Sequence, residues 1–76
     1  MKRYVNEVAN DCKRELKSSM QFALDAGRYY GTLTAENEEE IRKEYAKKLA
    51  RIDELVIQCQ YGYISELKAV ELIVTV

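Results

Sequence analysis

Cys12 and Cys59, the tyrosine pair Tyr29-Tyr30 and the acidic run Glu38-Glu39-Glu40 are the side chains with the most chemistry to offer in this chain. Two thiols can form a disulfide, bind a soft metal or attack a substrate. A carboxylate cluster can hold a cation, and phenol rings can bind by contact. None of these reaches a catalytic constellation. There is no histidine to act as a base, no paired-cysteine motif and no phosphate-cradling glycine loop. Each cysteine sits alone on an apolar stripe, where a buried structural thiol is expected. Consecutive helical residues point in different directions, so the acidic run reads as a helix start rather than a metal site. Carboxylates, lysine and tyrosine can replace histidine in catalysis, but nothing gathers them on one apolar face. The expectation is a protein that works by contact: no enzyme, no cofactor and no metal.

Val5, Val8, Ala9, Cys12, Leu16, Met20 and Ala23 recur mostly every three or four positions, one stripe of an amphipathic helix over 3–26. Gly27 is expected to stop it in the left-handed conformation. Thr34 is a good N-cap, and Glu36, Glu38, Glu39 and Glu40 set negative charge against the positive end of a second helix, over 35–60. Its apolar series Ile41, Tyr45, Leu49, Ile52, Val56 and Cys59 has coiled-coil spacing. Glu38–Arg42, Glu39–Lys43 and Glu44–Lys48 are expected ion pairs one turn apart. Gly62 can end this helix. Ser65 then caps a short third helix, over 65–73, with Ile64 as a staple and Leu67 and Val70 turned inward. The alternation Val70, Leu72, Val74, Val76 is a rival strand signal, but a lone strand would have no partner in a helical chain. The fold class is therefore all-α: a long antiparallel helical hairpin plus a short C-terminal helix, a small three-helix bundle.

The segment 46–73 loosely resembles the short C-terminal helical hairpins called SHOCT domains, at Leu49, Ile52, Leu55, Gly62, Ile64 and Ser65. It departs from that pattern beyond Ser65, where the usual acidic run and following aromatic are absent. What the resemblance implies is a helix–turn–helix stop.

A chain of 76 residues makes one domain near the lower limit for a self-sufficient core. Its formal charge of −1 gives neither the basic excess of a dedicated nucleic-acid binder nor the acidity of a DNA mimic. The amino terminus turns polar too early for a signal peptide, no apolar run approaches a membrane span, and the expected location is cytoplasmic with reduced thiols. With Cys12 opposite Leu49 in an antiparallel hairpin, the thiols stand about 15 Å apart along the axis, too far for a disulfide.

The lengths of the elements carry the functional expectation. Helices 1 and 2 should run about 36 and 40 Å, the third only about 13–15 Å. The short helix can cover Val5, Val8 and Cys12 with Ile52, Val56 and Cys59, but not the far end of the hairpin. There Met20, Phe22, Leu24, Tyr29, Tyr30, Leu33, Ile41 and Tyr45 form the expected protein interface, with a second copy or with another protein. The alternative is a nucleic-acid face built from Lys13, Arg14, Lys17, Lys43, Lys47, Lys48 and Arg51. Small helical chains without catalytic residues are common among phage and mobile-element proteins that block or redirect host factors, so an inhibitor or adaptor role is also expected.

Overall fold

The computed structural model describes residues 3–76, which form three α-helices: α1 (Arg3–Tyr30), α2 (Ala35–Gln60) and α3 (Glu66–Val74). α1 and α2 pair antiparallel, and α3 packs against both. No strand forms among the described residues. The apolar alternation near the carboxyl end becomes the last turns of α3, as the absence of a strand partner predicts. The molecule measures 46 × 17 × 16 Å, a rod whose length is set by the two long helices.

The two predicted N-caps form. Thr34 Oγ1 accepts the Asn37 backbone N–H at 3.1 Å and Ser65 Oγ accepts that of Lys68 at 3.1 Å, each satisfying an orphan donor of a first turn. α1 has no acidic residue in its own first turn. Glu66 supplies one from another helix: its Oε2 accepts the Val5 backbone N–H at 3.1 Å, tying the start of α3 to the start of α1.

The first helix stop lies elsewhere than expected. α1 runs through Gly27 to Tyr30, and Gly31 takes the left-handed conformation (φ +69°). Two bonds close a Schellman motif there, Gly31 N–H to Arg28 C=O at 3.3 Å and Thr32 N–H to Gly27 C=O at 2.9 Å. The same motif ends α2 at Gly62. Gly27 has a packing role instead: a Cβ there would meet Leu33 Cβ at 3.0 Å, so its missing side chain lets the connecting loop fold back on the helix.

Val5 and Ala9 of α1, Ile52, Leu55 and Cys59 of α2, and Ala69 and Ile73 of α3 form the buried core. Val8, Cys12, Leu16 and Val56 pack around it, so α3 covers the residues expected of it. Its inward face differs from the expected one. Ala69 and Ile73 point in and Val70 is half-buried, while Leu67 falls on the opposite side and is 80% exposed. The 3.6-residue turn decides this, because Ala69 and Ile73 are one turn apart and Leu67 is off their line.

Lys13–Asp53, Arg28–Glu38 and Asn6–Gln60 contacts bridge the hairpin in a single antiparallel register. That register sets Cys12 level with Asp53 and Glu54 rather than with Leu49, shortening its axial distance from Cys59 to about 7–8 Å. The two thiols nonetheless form no disulfide. Cys59 is buried as expected, and Cys12 is half-buried.

Candidate functional site

α3 occupies the groove between α1 and α2 over the lower part of the rod only. Beyond its end the groove continues unfilled. A small hollow of about 160 Å³ at the end of α3 is lined by Cys12, Leu16, Ser19, Ile52 and Val76 among others. Further up, a larger one of about 380 Å³ is lined by Ala23, Ala26, Gly27 and Tyr30 of α1, Thr32 and Leu33 of the loop, and Asn37, Glu40 and Ile41 of α2. Ala23, Ala26 and Tyr30 continue the face of α1 that carries Val5, Val8 and Cys12 below, as their helical spacing requires. Ala23, Ala26 and Gly27 present little side chain here, so the groove stays open up to Tyr30.

Of the eight residues expected at the interface, the structure brings Tyr30, Leu33 and Ile41 together in this groove. Leu24 is fully buried, and Met20, Leu33, Ile41 and Tyr45 are half-buried. The expectation that the whole distal end lies bare is therefore corrected. α2 runs alongside it, and the tight Gly31 stop returns Leu33 onto α1, so the chain covers part of its own tip. Phe22 (77%), Tyr29 (83%) and Tyr30 (75%) remain in solvent. The two tyrosine rings stand edge to face with centroids 5.0 Å apart.

One flank of the tip is electrostatically satisfied. Arg28 bridges Asp25 at 3.4 Å and Glu38 at 3.5 Å, and Arg42 reaches the same Glu38 carboxylate at 3.0 Å. The groove flank is not. Glu36, Glu40 and Glu44 lie one turn apart on α2, exposed, and none forms an ion pair or side-chain hydrogen bond with the described residues. The expected Glu44–Lys48 pair is absent because the Lys48 ammonium instead sits 5.4 Å from the Tyr45 ring centroid. Glu38–Arg42 and Glu39–Lys43 form as expected.

The seven residues of the alternative nucleic-acid face do not make one open basic band. Lys13 pairs with Asp53 at 2.9 Å, Arg14 with Asp11, Lys43 with Glu39 and Arg51 with Glu54. Lys17 lies on the Arg28 side of α1, whereas Lys47 lies on the Glu40 side and Lys48 on the Ile41 side of α2, so the remaining three cations do not converge. A flatter hollow of about 500 Å³ on the outer face of α2 is walled by Glu38, Glu39, Arg42 and Lys43, charges already paired with one another.

A second exposed apolar group escapes the sequence reading: Ile57, Tyr61, Tyr63 and Leu67, where α2 passes into α3. The Tyr61 and Tyr63 rings lie 6.4 Å apart. The signal was the aromatic pair around Gly62, which mirrors Tyr29-Tyr30-Gly31 at the other turn. Ala26 and Asn37 were also missed, while Ala23 and Glu40 were read only as part of an apolar stripe and of a helix start, since small and polar residues give no signal of a groove.

The Cys12 thiol is pushed above its ordinary range, first by burial and then by the neighbouring Glu15 and Asp11 carboxylates, which disfavours the nucleophilic thiolate. No cluster of three or more metal-ligating side chains occurs among the described residues, and none of their helices is long and apolar enough to cross a membrane. The chain matches no protein-family model, no curated protein and no solved structure at a significant level, so the SHOCT-like spacing assigns no family.

Proposed function

We propose that this protein is a non-catalytic contact protein, acting as a homo-oligomer and/or as a small inhibitor or adaptor docked on a larger protein, of the kind phage and mobile elements encode. One observation carries the reading. Phe22, Tyr29 and Tyr30 are each at least three-quarters exposed at the end of the rod that α3 does not reach. Large aromatic side chains held on a rigid helix end supply contact area at low entropic cost. The dispersed and mostly paired cations speak against the nucleic-acid alternative, because phosphate binding draws on unpaired, convergent charge.

The test is a triple variant, Phe22→Ser, Tyr29→Ser and Tyr30→Ser, at positions exposed enough to leave the fold intact. Sedimentation mass at two concentrations and affinity capture from a cell lysate are compared with the parent chain. Loss of self-association or of a captured protein is expected. Unchanged mass and unchanged capture would overturn the reading.

A further inference from the structure

We infer that the unfilled upper half of the α1–α2 groove is a docking site for a short amphipathic helix of another protein, one carrying lysine or arginine along one flank. The inference rests on the contact-protein reading and names the site and the chemistry of its occupant.

α3 shows what the groove accepts. Lower down, this helix lies between α1 and α2 with Ala69 and Ile73 buried against Val5, Ala9 and Ile52. The same two helices continue past its end without a third. From Ser19, at the end of α3, to Tyr30 is about 16 Å of helix, room for roughly three turns. The hollow of about 380 Å³ offers apolar surface from Ala23, Ala26, Leu33 and Ile41 beside the polar groups of Thr32, Asn37 and Glu40, and takes a few aliphatic side chains. This is the geometry by which an apolar helix face enters a groove.

Charge selects the occupant. Glu40 lines the groove, and Glu36 and Glu44 stand one turn to either side on the same face of α2. All three carboxylates lack an ion-pair partner among the described residues. The positive end of the α2 dipole accounts for Glu36 in its first turn, but not for Glu40 and Glu44 further along. A helix lying in the groove with basic residues on that flank would meet all three.

A second copy fits less well. Its α3 carries Glu66 and Glu71 against a single Lys68, and Lys68 already pairs with Glu71 at 3.9 Å. A groove about 16 Å long is also too small for the roughly 1,200 Å² that a stable dimer buries.

The probe is a synthetic peptide amide of roughly 14 residues, three turns to fill the groove and the rest to favour helix formation, with leucine and alanine on one face and lysines on one flank. Its counterpart replaces the lysines with glutamates. Both are titrated against the full chain by fluorescence anisotropy at low and high salt. The lysine peptide should bind about tenfold tighter at low salt, since each exposed charge pair contributes about twofold and three act together. The Glu36→Gln, Glu40→Gln, Glu44→Gln variant should fold normally by circular dichroism and lose that preference. Ala26→Trp should block both peptides without changing the oligomeric state of the protein.

Equal binding of the two peptides, no binding of either, or a lysine preference that survives in the glutamine variant would overturn the inference. So would a change of oligomeric state on Ala26→Trp, which would assign the groove to a second copy. Should the peptides fail while the aromatic-tip variant still loses its partner, the docking site falls and the contact reading stands.

Discussion

Replacing Leu24 with alanine tests whether the distal end of the hairpin is sealed by the chain itself. Leu24 is fully buried, yet it lies outside the main core cluster and is enclosed without help from α3. Leucine-to-alanine changes at buried sites cost about 2–5 kcal/mol, more where the cavity cannot collapse. Only α1 and α2 run at this level, so the site relaxes more easily than the three-helix core and a cost near the lower end, about 2.5 kcal/mol, is expected. A chain of this length is stable by about 4–11 kcal/mol in total, so that loss should lower the midpoint of thermal unfolding by about 10–20 °C. Urea unfolding followed by helical circular dichroism, at two protein concentrations and with unchanged slope, reads the effect. Phe22→Ala is the control and should stay within about 0.5 kcal/mol, as exposed sites do. A loss below about 0.5 kcal/mol for Leu24→Ala would refute the packing argument. A loss that depends on protein concentration would do the same, because it would place Leu24 in an assembly interface.

Gly31→Ala should cost about 1 kcal/mol with no steric clash, because its φ is +69° and nothing lies within 4 Å of the added carbon, a figure that denaturant unfolding can check. Glu66→Ala should cost about 1 kcal/mol and speed amide hydrogen exchange at Val5 in particular, since it removes that donor's carboxylate cap. In native protein Cys12 should alkylate more slowly than an unhindered thiol, with its rate rising only at higher pH. The sign follows from the raised thiol pKa, which lowers the thiolate fraction at any given pH. Cys59 should label only on unfolding, because it is buried; fast labelling of both would contradict the core described here.

Local rules were enough for the elements themselves. Thr34 and Ser65 announce their helices because a side-chain oxygen satisfying an orphan N–H is a property of a few neighbouring residues. The apolar spacing of both long helices likewise names the faces that meet, and the short third helix follows from the serine cap. What only tertiary packing decided was the choice between local options of similar energy. Gly27 and Gly31 both suit a helix stop, and the selection of Gly31 depends on Leu33 returning onto Gly27. Leu67 looks as apolar as Ile73, and only the seat of α3 against α1 and α2 sends one to solvent and the other inward. The groove is the clearest case: in sequence Ala23 reads only as one more position of an apolar stripe and Glu40 only as part of a helix start, and Ala26 carries no signal. They become a site because an antiparallel register lays two helices side by side for longer than the third can follow.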